Sequence, residues 1–89
     1  MRSYSTLIDP AVDGNYAIRM AAGNGHIKVV KCMLEKKEEN PRVYGSIDPA
    51  AGDNHAIRLA SSNGHIEVVR YLLEKKAEHP ELYRGINLE

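Results

Sequence analysis

Apolar residues fall in two rhythms along this chain, and both rhythms are played twice. Ile18, Ala21 and Ala22 stand at i, i+3 and i+4, one face of a helix. Ile27, Val30, Met33 and Leu34 continue that spacing on a second helix. Thirty-nine residues later, Ile57, Ala60 and Ser61 repeat the first pattern, and Ile66, Val69, Leu72 and Leu73 repeat the second. Asn15 and Asn54 are predicted N-caps, since a short side-chain oxygen can accept from the free amides of a first turn. Gly25 and Gly64 are placed to take a positive φ and close the first helix of each pair. The second helices are expected to end near Lys37 and Lys76. Pro41 and Pro80 then suit the first position of a short extra turn. The Pro-, Gly- and Asp-rich stretches "IDPAVDG" and "IDPAAGD" read as loops that lead into the next helix pair.

The repetition extends well beyond the apolar positions. "NGHIKVVKCMLEKK" (24–37) returns as "NGHIEVVRYLLEKK" (63–76), and more than half of the 39 aligned positions are identical. A fixed period of this length marks a stacked solenoid. One helix pair cannot bury its apolar face alone, and a copy beside it supplies the matching face. The expected architecture is therefore all-α, with one repeat at 8–46 and a second at 47–85. Residues 86–89, "INLE", read as the start of a truncated third repeat or as a cloning scar.

Composition narrows the function. Twelve basic and twelve acidic residues balance, which argues against a general nucleic-acid binder. No apolar run approaches membrane-spanning length, and the first ten residues lack the apolar core of a signal peptide. Cys32 is the sole cysteine, so disulfides cannot staple the fold, and a lone thiol fits a reducing, cytoplasmic setting. Its reading is a small packing residue, since no motif sets a His or Asp beside it. The four histidines show no metal-ligand spacing. With no phosphate loop and no paired catalytic carboxylates, neither an enzyme nor a cofactor is expected.

"DGNYAIRMAAGNGHIKVVKCML" resembles an ankyrin repeat, in which Asp-Gly, Ala-Ala, Gly-His and Val-Val-x-x-Leu-Leu recur at this spacing. Asp13, Gly14, Ala21, Ala22, Gly25, His26, Val29, Val30 and Leu34 match, as do Ala60, Gly64, His65, Val68, Val69, Leu72 and Leu73. Two features depart from that pattern. Tyr16-Ala17-Ile18-Arg19 and His55-Ala56-Ile57-Arg58 replace Thr-Pro-Leu-His, and the period exceeds the usual 33 or so by about six residues.

The resemblance implies a helix-turn-helix solenoid that binds a protein partner through loop tips and first helices. The positions implied are Val12, Asp13, Asn15, Tyr16 and Gly23 in the first copy, and Ala51, Gly52, Asn54, His55 and Ser62 in the second. Gly25, His26, Gly64 and His65 are implied to be structural. Arg19 and Arg58, at the family's His position, are expected to bond across the repeat junction. The charged ends Glu35–Glu39 and Glu74–Lys76 read as solvated faces, and Tyr44 and Tyr83 as covers for their own helix pairs. Two repeats leave end faces uncapped, so self-association is the alternative role, with a homodimer favoured.

Overall fold

The computed structural model describes residues 12–88, and side chains from Asn15 onward. The chain runs through α1 (Val12–Gly23), α2 (Ile27–Glu39), α3 (Pro41–Tyr44), α4 (Ala51–Ser62), α5 (Ile66–Glu78) and α6 (Pro80–Tyr83). No strand occurs among the described residues. Helices α1, α2 and α3 form one repeat, and α4, α5 and α6 the next, stacked mainly through α1 against α4. Residues 8–11 of the expected first repeat, and Glu89, lie outside the described residues.

The turn between the long helices of each repeat follows from its glycine. Gly25 and Gly64 sit at φ 74° and 77°. This lets the amides of His26 and His65 reach back to the carbonyls of Ala21 and Ala60, while the glycine amides bond Ala22 and Ser61. The paired bonds satisfy carbonyls that a helix end would leave bare. Space matters as well at Gly25, where a Cβ would stand 2.6 Å from Nδ1 of the His65 ring. His26 and His65 occupy the N-cap positions of α2 and α5 but make no side-chain cap bond. Pro41 and Pro80 each open a four-residue helix, as their fixed φ favours.

The core is aliphatic. Ile18, Ala22, Val30, Leu34, Ile47, Ala56, Ile57, Ala60, Val68 and Leu72 are all buried, with Tyr83 and Ile86 closing its far edge. Comparing the copies shows which neighbour buries what. Val30 and Leu34 are fully buried, whereas their counterparts Val69 and Leu73 are half-buried and 39% exposed. Conversely Val68 and Ala56 are buried while Val29 and Ala17 are exposed. Residues of the first kind face the following repeat and residues of the second kind face the preceding one. Ile66 and Leu73 were expected in the core, but they are exposed because the described chain carries no third repeat over them.

Three other expectations are corrected. Asn15 and Asn54 are not N-caps. Both adopt left-handed backbone, at φ 66° and 63°, and Gly52-Asp53-Asn54 form a three-residue left-handed turn inside α4. Cys32 is exposed rather than packed, because its counterpart Tyr71 faces the preceding repeat and Cys32 has no such neighbour over it. The charged ends of the second helices are not simply solvated, because Lys37 and Lys75 are buried.

Candidate interaction surface

The junction between the repeats is held by side chains that reach across it. Oδ1 of Asn15 accepts the Asp48 amide at 2.8 Å. Oδ1 of Asn54 accepts the Asn87 amide at 2.9 Å, one period later. The left-handed backbone aims each carboxamide at the loop that enters the next repeat, and Asn tolerates that conformation better than other non-glycine residues. Asp48 then turns that loop by accepting the Ala50 amide on its own side chain. On the opposite edge Asn63 donates to the Gly23 carbonyl at 2.8 Å. Gly23 itself is buried under Leu59, close enough that a Cβ there would overlap the leucine side chain.

Arg19 makes the third bridge. Its Nη1 donates to Nδ1 of His55 at 2.9 Å, which leaves the imidazole proton on Nε2. Its guanidinium also lies over the Tyr16 ring, 5.8 Å from the centroid. Tyr16 is 54% exposed. Tyr16, Arg19 and His55 thus form one continuous strip across both repeats. Arg58 is exposed, and no hydrogen bond from it is present among the described residues. The asymmetry has a simple cause, since the acceptor that Arg19 uses lies in the following repeat. Arg19→Ala should therefore cost about 1 kcal/mol, the net worth of one partly buried hydrogen bond. Arg58→Ala should stay within about 0.5 kcal/mol of wild type. Chemical denaturation of both variants checks this, and equal losses at the two positions would contradict it.

The other implied positions divide by accessibility. Gly52 and Ser62 are exposed, Ala51, Asn54 and His55 are half-buried, and Asn15 and Gly23 are buried; Asp53, which is not among those positions, is exposed beside Gly52. Val12 and Asp13 lie at the start of α1, in the stretch whose side chains are not described.

A polar cluster sits on the other side of the junction. The Glu38 carboxylate receives the Tyr83 hydroxyl at 2.7 Å on Oε2 and Nζ of Lys75 at 3.1 Å on Oε1. Nζ also lies 3.0 Å from Oε2, and 3.4 Å from Glu78. His79 stands 3.9 Å away, and its ring meets that of Tyr83 in a T-shaped arrangement. Burial alone would push the Glu38 carboxyl up. The bonds from Tyr83 and Lys75, with the charges of Lys75 and His79, outweigh it and hold the group below its ordinary value. Burial also pushes the Tyr83 hydroxyl up, and the Glu38 bond adds to that. Burial opposes the Lys75 ammonium, yet its carboxylate partner raises it overall. Lys37 differs: its Nζ donates to the carbonyls of Gly45 and Ile47 at 2.7 and 2.8 Å, tying down the exit of the first repeat. Burial lowers its pKa, against a smaller lift from Asp48.

Among the described residues no group of three His, Cys, Asp or Glu side chains could hold a metal ion. None of their helices is long and apolar enough to cross a membrane.

A family model described as ankyrin repeats (3 copies) matches residues 3–82. The chain belongs to the ankyrin repeat family. No curated protein and no solved structure matches it. Ankyrin repeats are generally protein–protein interaction modules and are generally non-enzymatic. In this ankyrin chain the Tyr16 and His55 substitutions carry the cross-repeat strip, because Tyr offers its ring to Arg19 and His offers a nitrogen. The residues that sequence reasoning missed were Glu38, Lys75, Tyr83 and Lys37. A partial signal was present, since Glu38 breaks the repetition by pairing with Ala77 while its neighbours on both sides are identical in the two copies.

Proposed function

We propose that this ankyrin chain is a non-enzymatic, cytoplasmic interaction module that holds a protein partner along its loop tips and first helices. The observation that carries the reading is the Tyr16–Arg19–His55 strip. A half-exposed tyrosine ring, fixed under a guanidinium that is itself tied to the next repeat, is a rigid amphipathic anchor. Such anchors supply much of the energy at protein interfaces. Gly52, Asp53 and Ser62 extend the same surface with exposed groups, and they differ between copies while the buried frame agrees. A partner identified by cross-linking, then titrated against purified chain, tests the reading. Tyr16→Ala should weaken binding by about tenfold or more, the scale of a hot-spot truncation, with little change in melting temperature. Unchanged affinity would overturn it.

A second reading, self-assembly, is favoured by one observation: the apolar outer face of α5. There Ile66 is 59% exposed although its counterpart Ile27 is partly covered by the second repeat.

A further inference from the structure

We infer that the outer face of α5 is a homodimer interface, on which a second copy of this chain lays its own α5 antiparallel about a twofold axis. This deepens the self-assembly reading and is independent of the Tyr16 strip. The face is a shallow groove lined by Ile66, Val69, Arg70, Leu73, Glu74 and Ala77. Its nature is set by the repeat itself. The same stripe on α2, which includes Val30 and Leu34, is fully buried at those positions by the second repeat. A surface that is core in one copy is left open in the other.

The obvious occupant would be the first repeat of another chain, stacked head to tail. Three differences oppose that register. Gly23 admits Leu59 at the internal junction, but Ser62 stands at the equivalent place and brings a side chain into the path of the incoming helix. Glu38 binds the Lys75 and Tyr83 of the next repeat, but its counterpart is Ala77, which offers no acceptor. The entry slot of a following repeat is already held by the chain itself. Ile86 is buried where Ile47 is buried one period earlier, and the Asn87 amide is bound to Asn54.

The groove instead complements itself. Arg70 and Glu74 lie on its rim one helical turn apart, with opposite charges. With the axis midway between them, Arg70 of each copy falls opposite Glu74 of the other. The same operation sets the large Ile66 against the small Ala77, and Val69 and Leu73 across the centre. A surface patch that meets itself in this way closes at two chains rather than growing.

Sedimentation equilibrium across a wide concentration range tests it. The wild-type chain should pass from one to two chains and stop there. Leu73→Glu should raise the dissociation constant by about tenfold or more, since it puts a charge at the centre of the apolar stripe. Val29→Glu, on the opposite end of the stack, should leave it unchanged. Arg70→Glu and Glu74→Arg should each dissociate alone, because each then faces its own charge, and an equimolar mixture of the two should regain the dimer. Tyr16→Ala should dimerise like wild type, which keeps this test separate from that of partner binding. A wild-type chain that stays monomeric at high concentration would overturn the inference. So would assembly that survives Leu73→Glu, a mixture that fails to recover, or assembly that Val29→Glu abolishes.

Discussion

Replacing Glu38 by alanine should cost about 2–3 kcal/mol, the range for removing a charged, largely buried hydrogen-bonding partner. Two donors lose their acceptor at once. The Tyr83 hydroxyl sits on a residue only 1% exposed, and Lys75 keeps its longer contact with Glu78 and its place over the Tyr71 ring. Tyr83→Phe removes one donor and leaves the carboxylate its lysine, so it should cost about 1 kcal/mol. The penalty should also depend on pH with a definite sign. Glu38 is held below its ordinary value of 4.5, so its contribution is present above that value. The contribution then fades as pH falls through the lower folded-state pKa. Denaturant titrations of wild type and Glu38→Ala at neutral pH and in acid should therefore diverge at neutrality and converge in acid. A gap that persists at low pH would mean that packing, and not the charge, sustains the cluster.

Asn15→Ala should be nearly as damaging, at about 2 kcal/mol, by summing two separable effects. Alanine at a φ of 66° accepts roughly 1 kcal/mol of left-handed backbone strain. The Asp48 amide also loses its acceptor, which adds about 1 kcal/mol. Asn15→Gly relieves the strain and suffers only the second effect, so it should recover about half of the loss. The same change at Asn54 should cost less, because the amide it holds, that of Asn87, lies at the exposed edge of the stack. Thermal denaturation of the variants ranks them directly. Equal losses at 15 and 54 would show that the inter-repeat bond contributes little and that strain alone is being measured.

These residues also mark the limit of what the sequence reveals. Helices, turns and most of the core were legible because they rest on local spacing. Ile18, Val30 and Leu34 repeat at helical intervals, and a Gly at 25 or 64 has few other reasons to stand between two helices. The junction was less legible because it depends on what lies 33 to 45 residues away. Asn15 looks like any N-cap until its backbone is seen to turn left-handed and its oxygen to meet Asp48. Glu38 and Lys75 look like a solvated charge run until stacking brings Tyr83 beneath them. Burial at identical positions differed for the same reason. Val30 and Val69 stand at matching positions of the repeat, and the presence of a following repeat separates them. For the interaction surface, the resemblance supplied positions, and the structure added the bridge by which Arg19 joins Tyr16 to His55. Arg58 repeats the letter of that arrangement without its partner.

The turn at Gly52-Asp53-Asn54 has a further consequence. Three successive residues in left-handed backbone are a short piece of mirror-image chain spliced into an ordinary one. For L-residues such a conformation is disfavoured, whereas for residues of the opposite chirality it is the resting state. Asp53 is therefore the residue of this loop that chirality serves worst, since it has neither glycine's freedom nor the bond that holds Asn54. In a chemically assembled chain, D-aspartate would sit there at ease. The loop tip that the fold holds out to solvent is shaped for the other hand.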